Sequence, residues 1–159
     1  MKKSIIVLVI SVLLLIIGSC KKVNKPEPIV AVGINVAYKD NLGNNLLDSA
    51  TPNHYSIANM HVFYLENGVK EEYYNGKMDN PKGLKIFQDS TGEYVLGIGL
   101  NSFRAENDTT LLQLSNTDID TIVGTIDKSN GDIILKKVWY NGILKWEYGT
   151  YPSITIVKK

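Results

Sequence analysis

The sequence predicts an all-β protein, an antiparallel two-sheet sandwich of immunoglobulin-like or transthyretin-like architecture with about nine strands. Three observations favour this fold class. After residue 28, apolar and polar residues alternate with the two-residue period of strands, and the helical period is nearly absent. Asn-Gly, the strongest short-range hairpin signal, occurs four times. Glycine-bearing turns separate the alternating segments, as in sheets built from hairpins.

Alternation defines two strands clearly. In residues 30–38 the even positions are apolar and are expected to face the core: Val30, Val32, Ile34, Val36 and Tyr38. Residues 94–100 follow the same pattern, with these side chains toward the core: Tyr94, Leu96, Ile98 and Leu100. Gly97 and Gly99 share the opposite face, which predicts a crowded neighbour or a bulge beside them.

The Asn-Gly pairs predict at least three tight turns, because both residues tolerate a positive φ. The four pairs are Asn67-Gly68, Asn75-Gly76, Asn130-Gly131 and Asn141-Gly142. The last two predict a three-stranded meander, in which Ile126 pairs with Leu135, and Trp139 with both Ile122 and Leu144. One core face then holds Ile122, Ile126, Ile133, Leu135, Trp139, Leu144 and Trp146, with Lys128 and Lys137 near its rim.

The remaining segments complete the predicted sandwich. Residues 60–65 and 69–74 flank Asn67-Gly68, and the charged return strand indicates a pair at a sheet edge. Further strands are expected at 84–87, 110–115 and 151–157. A polar loop over residues 40–59 is expected to contain a short helical turn at 46–50. With neither an internal repeat nor a second composition block, residues 29–159 read as one domain.

The first nineteen residues have the composition of a signal peptide. Lys2 and Lys3 precede an apolar run over residues 5–17, and the small residues Gly18 and Ser19 follow it. As a helix this run would be about 20 Å long, which is short of a hydrocarbon core of about 30 Å. The run therefore predicts a cleaved leader rather than a lasting membrane span.

The residues Ile17, Gly18, Ser19 and Cys20 resemble the lipobox of bacterial lipoproteins. Ile17 stands where leucine is commonest and Gly18 where alanine is commonest, with size and polarity kept. The resemblance implies cleavage between Ser19 and Cys20, a diacylglyceryl group on the Cys20 thiol and an acylated amine. Two or more acyl chains hold a protein stably in a membrane. Lipidation also accounts for the chain's single cysteine, since a free thiol is a liability on an exported protein.

The residues after Cys20 indicate a tether and a location. Residues 20–28 are basic and proline-bearing, which is typical of an extended linker. Lys21 takes the position where an aspartate would signal inner-membrane retention, so the resemblance implies the outer membrane of a Gram-negative cell envelope. The body resembles in general style the small lipoproteins of such envelopes. Periplasmic and surface-exposed faces both remain open.

Charge and cysteine content exclude two classes of protein. The leader holds two lysines and no acid, so removing it leaves 15 basic against 16 acidic side chains. A nucleic-acid partner would require a concentrated basic face, and we expect none. With Cys20 lipidated, no cysteine remains for a disulfide, so packing and backbone pairing must stabilise the body.

Two groups of residues have the elements of a metal site. Asp40, Asn44 and Asp48 offer oxygen ligands for calcium, although the register of an EF-hand is missing and a turn capped by its own side chains explains them equally. His54 and His61 would need Glu66 or Glu72 as a third zinc ligand, and their spacing nominates neither. The sequence therefore predicts no resident metal and no cofactor.

No nucleophile, triad or carboxylate pair stands in a recognisable catalytic arrangement. We therefore expect a non-enzymatic, membrane-anchored binding or accessory module whose partner is an envelope protein or a glycan. Nine tyrosines favour a glycan platform, although tyrosine is also an ordinary strand residue. The alternative is a lipid-anchored hydrolase, for which the candidate residues are Asp40, Asp48, His54 and His61.

Overall fold

The computed structural model describes residues 27–101 and 107–159, so the leader, Ser19 and Cys20 lie outside the described residues. Within the described ranges the chain forms eleven strands and two short 3₁₀ segments, Ile57–Asn59 and Ser129–Gly131. The predicted all-β class is confirmed, with two strands more than the sequence suggested.

The strands divide between a seven-stranded and a four-stranded sheet. In chain order they are β1 (Val30–Ala31), β2 (Gly33–Lys39), β3 (His61–Glu66), β4 (Val69–Glu72), β5 (Leu84–Gln88), β6 (Tyr94–Gly99), β7 (Asn107–Ser115), β8 (Asp118–Asp127), β9 (Ile133–Tyr140), β10 (Ile143–Glu147) and β11 (Ser153–Val157). The large sheet has the order β1-β9-β8-β7-β3-β4, and β10 also pairs with β9. The small sheet has the order β11-β2-β6-β5.

Both sheets are mixed, so the antiparallel prediction is wrong for two pairs. β1 runs parallel to β9, and β11 runs parallel to β2. The predicted first strand is also broken at Val32, because Val30–Ala31 belongs to the large sheet and Gly33–Lys39 to the small one. Parallel partners need long connections, and neither alternation nor hairpin turns carry information about such distant pairing.

The inner faces of the two sheets pack into one core. Ile34, Val36 and Tyr38 of β2 face Leu112 and Ile122 of the large sheet within a single buried cluster. The predicted core positions Leu96, Ile98 and Leu100 are buried as well. Val30 is an exception, with 57% of its surface exposed, because β1 lies at an edge and not between the sheets.

A bulge reverses the predicted face of half the meander. Ile126 pairs with Leu135 as predicted, but the register shifts between Thr125 and Ile126, so Ile122 pairs with Tyr140 instead of Trp139. Slipping by one residue exchanges the two faces of a strand. Val138 and Tyr140 are therefore buried, whereas Trp139 and Lys137 lie on the outer face.

The partner strand β10 shows the same effect. Leu144 pairs with Trp139 as predicted, but the pair lies on the outer face and Leu144 is exposed. A second irregularity between Leu144 and Trp146 returns Trp146 to the core, where it is buried. The core assignment was therefore right for Ile122, Ile126, Leu135 and Trp146, and wrong for Trp139 and Leu144.

Three of the four Asn-Gly pairs form the predicted turns, with positive φ at both residues: Asn67-Gly68, Asn130-Gly131 and Asn141-Gly142. Neither Asn75 nor Gly76 has a positive φ. The predicted edge pair is confirmed, since β4 ends the large sheet and is exposed throughout. Residues 46–50 form turns without a helix, and the helical segment of this loop is Ile57–Asn59.

Candidate functional site

The outer face of the small sheet carries a floor of glycines. Gly33 of β2 pairs directly with Gly99 of β6, and Asn35 pairs with Gly97. Since Ile34, Leu96 and Ile98 turn inward, alternation turns these three glycines outward. Without Cβ atoms on this face, backbone atoms form the floor of a depression of about 370 Å³. We call this depression, with the aromatic rings beside it, the glycine groove.

Aromatic rings occupy the space that the glycines leave. A methyl group on Gly97 would lie 3.1 Å from Cε1 of Phe87. At the other end, Cε1 of Tyr73 lies 3.0 Å from the corresponding position on Gly83. The sequence-based expectation of a crowded neighbour is confirmed at Gly97. At Gly99 the nearest atom to such a methyl group is 3.8 Å away, so the floor there is open.

Tyr64 closes the inner end of the groove. Its hydroxyl donates to the Gly99 carbonyl at 3.3 Å, and its ring centroid lies 5.0 Å from that of Tyr73. Burial, and secondly the neighbouring Tyr73, raise the pKa of Tyr64 from 10.0 to about 12. The hydroxyl therefore remains a neutral donor at physiological pH.

Phe87 separates the groove from a second depression of about 420 Å³, bordered by Tyr151 and the loop after β5. Tyr151 is 71% exposed, and its hydroxyl accepts a hydrogen bond of 3.0 Å from the Asn35 side chain. Asp89 lies here too, but its Oδ1 accepts from Thr91 and Glu93 of its own turn. The two depressions together form an aromatic-sided surface with amide groups between the rings.

A buried polar network fills the far end of the core. Tyr140 donates to Asp120 Oδ2, and Tyr38 lies 2.9 Å from the Tyr140 hydroxyl. Lys158 donates to Asp118 at 2.7 Å and to Asp120 at 2.5 Å. Tyr55 donates to the other oxygen of Asp118 at 2.7 Å. The ammonium of Lys158 thus ties the end of the chain to two carboxylates from the start of β8.

The network stabilises the fold, and its tyrosines are unsuited to proton transfer. Burial raises the pKa of Tyr38 and Tyr140 well above the ordinary value, and burial with the Asp118 hydrogen bond does the same for Tyr55. A phenol that stays protonated is a poor base and a poor nucleophile at neutral pH. Asp120 is 3% exposed and accepts from Tyr140, Lys158 and Asn141. Buried polar groups that are satisfied in this way stabilise one packing arrangement.

These tyrosines predict alkaline unfolding. Tyr64 has a pKa of about 12 when folded and about 10 when exposed, so the unfolded chain releases its proton first between these values. The contribution of Tyr64 to stability is therefore complete below pH 10 and is expected to be lost as pH rises toward 12. Circular dichroism and phenolate absorbance of the chain should change together in this range. A Tyr64→Phe variant should lose stability less steeply; an identical slope would contradict the assignment.

The predicted calcium ligands serve their own loop. Asp40 Oδ1 accepts from the backbone of Leu42 and Asn44, and Asp40 Oδ2 accepts from the Asn44 side chain. The Asn44 side-chain hydrogen bond is the main cause that lowers the pKa of Asp40. Asp48 likewise accepts from Ala50. This geometry is that of a self-capped turn, which was the alternative explanation of the same residues.

The two histidines lie in different settings. His54 Nδ1 is 3.1 Å from the Thr51 carbonyl in the long loop, whereas His61 Nδ1 is 2.6 Å from Glu72 Oε1 across the β3–β4 pair. His61 also stacks on Phe63 on the outer face of the large sheet. Within residues 27–101 and 107–159, no group of three or more His, Cys, Asp and Glu side chains could hold a metal ion.

The glycine groove and the polar network were both missed at the level of sequence. For the groove, the odd positions of two predicted strands carried a signal, namely Gly33, Gly97 and Gly99 on the faces opposite the core. The network had no such signal, because Tyr38, Tyr55, Asp120 and Lys158 come from separate segments and meet only in the folded chain.

Comparison with known proteins adds no relationship: no family model, no curated protein and no solved structure matches this chain. The fold and the two sites described above therefore define the protein as an all-β, two-sheet chain with an aromatic-sided groove. Among the described residues, no helix is long and apolar enough to cross a membrane.

Proposed function

We propose that this chain is a lipid-anchored lipoprotein of a Gram-negative envelope whose body is a non-enzymatic binding module, and that the glycine groove binds an extended glycan. The observation that carries the glycan proposal is the floor of glycine backbone between Tyr73, Phe87 and Tyr151. Ligand sites are typically concave and apolar, with a few polar groups that set orientation.

The chemistry of sugars fits this surface. The C–H groups on a pyranose face pack favourably on aromatic rings, whose faces carry partial negative charge. A floor without side chains lets a flat, linear ligand lie close to the backbone. The side chains of Asn35 and Asn80 and the ammonium of Lys85 border the groove and supply hydrogen bonds to sugar hydroxyls.

A binding function is favoured over hydrolysis by the state of the acidic groups. Asp89 is the acidic side chain beside the two depressions, and hydrogen bonds from Thr91 are the main cause that lowers its pKa. A general acid needs a raised pKa, so Asp89 is unsuited to that role. Of the four hydrolase candidates, Asp40, Asp48 and His54 contact atoms of their own loop. The fourth, His61, contacts Glu72 across the β3–β4 pair.

Three features support the anchor and its location. The lipobox resemblance at residues 17–20 includes the chain's only cysteine. The first strand begins at Val30, which leaves the basic, proline-bearing residues 20–28 as a tether. Lys21 in place of aspartate favours the outer membrane. Anchoring raises the local concentration of the groove near its ligand, so a modest affinity suffices.

A Tyr151→Ala variant tests the second depression, which continues the binding surface beyond Phe87. Loss of one aromatic face is expected to weaken oligosaccharide binding by about tenfold, which is about 1.4 kcal/mol. Titration calorimetry against a panel of N-acetylglucosamine, glucose and mannose oligomers measures the change. Tyr74→Ala is the matched control, because Tyr74 is 67% exposed and lines neither depression. Equal affinity in the two variants would exclude Tyr151 from the site.

A Gly99→Ala variant gives an independent check without removing an aromatic ring. Its methyl group meets nothing closer than 3.8 Å, so the thermal midpoint is expected to stay near that of the parent chain. The same methyl raises the floor and is expected to weaken binding of a flat ligand. Unchanged affinity for every oligomer that the parent chain binds, or no binding by the parent chain at all, would contradict the glycan proposal.

A further inference from the structure

One edge of the large sheet exposes three large apolar or aromatic side chains. Ile29 is 58% exposed, Val30 is 57% exposed and Tyr148 is 59% exposed. Single exposed apolar side chains need no explanation, whereas neighbouring ones on one surface indicate a contact with something other than water. The three residues lie where the tether enters the folded body and where β10 ends.

The three residues belong to a single edge. β1 and β10 pair with consecutive stretches along the same side of β9. Val30 of β1 pairs with Ile133, and just after β10 the Tyr148 N–H donates to the Lys136 carbonyl at 2.7 Å. Ala31 and Tyr148 also line one depression of about 150 Å³ together with Trp146 and Pro152. We call Ile29, Val30 and Tyr148 the β1 edge.

The length of the tether determines what this edge can reach. Residues 20–28 span at most about 30 Å when fully extended. A lipid-bearing Cys20 therefore keeps the β1 edge within one domain diameter of the bilayer. The opposite edge of the same sheet, β4, is five strand spacings or about 24 Å farther along the sheet.

We infer that the β1 edge rests against the lipid bilayer and sets the orientation of the body on the membrane. The inference rests on the proposed lipidation of Cys20. Tyrosine and lysine are suited to the headgroup level, because each has an apolar body and a polar tip. The Lys136 ammonium lies 3.9 Å from the Tyr148 ring centroid, which places a lysine and a tyrosine together at this edge.

The charges at this edge are compatible with a membrane. Asp132 accepts from the Ile29 N–H at 2.9 Å, and Asp127 lies 3.7 Å from the Lys136 ammonium. The Lys136 ammonium therefore partly compensates the charge of Asp127, and a backbone N–H satisfies Asp132. The opposite edge presents Lys70, Glu71 and Glu72 to solvent, so the orientation rests on the tether and the exposed apolar side chains rather than on charge.

The test uses two matched cysteine variants of the full lipidated chain. Val30→Cys lies on β1 and Val69→Cys on β4; both valines are on edge strands and both are 57% exposed. Because lipid consumes the Cys20 thiol, the introduced cysteine is the only one that reacts with an environment-sensitive fluorophore. The labelled chains are placed in phosphatidylcholine–phosphatidylglycerol vesicles that contain a doxyl-labelled lipid. Tyr148→Cys reports the same edge from a neighbouring segment.

Quenching is expected to be severalfold stronger at positions 30 and 148 than at position 69, with a blue-shifted emission at the first two. Equal quenching at 30 and 69, or stronger quenching at 69, in chains that float with the vesicles would overturn the orientation and leave the anchor intact. Chains that fail to float, or whose Cys20 reacts with the fluorophore, would overturn the anchor and this inference with it.

Discussion

A Lys158→Met variant is expected to lower the free energy of unfolding by about 3 kcal/mol, because it leaves buried carboxylate charge without its cation. Asp120 is 3% exposed and receives the Lys158 ammonium at 2.5 Å, while Asp118 receives it at 2.7 Å. Methionine keeps most of the apolar stem that packs here, so the effect reports the lost charge. Urea unfolding followed by tryptophan fluorescence measures it.

Two comparisons make this result specific. Lys159→Met changes the same residue type at the exposed neighbouring position, and should stay within about 0.5 kcal/mol of the parent chain. Adding Asp120→Asn to Lys158→Met removes the stranded charge and should recover part of the loss. If Lys158→Met matches Lys159→Met, the ion pair does not contribute to stability.

A Cys20→Ser variant is expected to lose both lipid and processing. In the parent chain, mass spectrometry should find an N-terminal peptide that begins at Cys20 and carries a diacylglyceryl group and an amide-linked acyl chain. Serine offers no thiol for the first of these steps, so the variant should keep residues 1–19. Each methylene in the membrane contributes about 0.8 kcal/mol, so a form with two or more acyl chains is expected to stay stably on the bilayer.

The control for this experiment is Ile17→Leu with Gly18→Ala, which restores the commonest lipobox residues and should leave lipidation unchanged. Replacing residues 1–19 of the Cys20→Ser chain with an ordinary secretory leader should release the body into the soluble fraction. An unmodified thiol on the mature parent chain would refute the anchor. A body that stays in the membrane fraction after this replacement would show that something other than lipid holds it.

Local chemistry explains which parts of the fold were predictable. Asn67-Gly68 and Asn141-Gly142 specify their hairpins through the positive φ that both residues accept, and alternation correctly assigned Ile34, Leu96 and Ile98 to the core. The predictions were wrong where a bulge entered. No sequence feature near Thr125 predicts that β9 contains an extra residue opposite this point. The extra residue nevertheless moves Trp139 from the core face to the outer face.

Features that depend on distant pairing were not predictable in the same way. The glycine groove requires Gly33 and Gly99 to be partners, and only the sheet order reveals that they are. Alternation did show that glycines occupy the outer face of both strands, so the glycine content of the groove was predictable even though its pairing was not. The polar network draws on both ends of the body, and neither hydrophobic periodicity nor turn chemistry links Tyr38 to Lys158.

β11 pairs in parallel with β2, so residues 153–157 form one edge of the small sheet. The paired residues Asn35 and Ser153 are 118 positions apart in the sequence, and Lys158 follows Ser153 by five positions. Pairing at such a separation is intrinsically slow, so β11 is expected to be among the last strands to join the small sheet. Removing residues 153–157 would leave the outer edge of β2 without its partner strand.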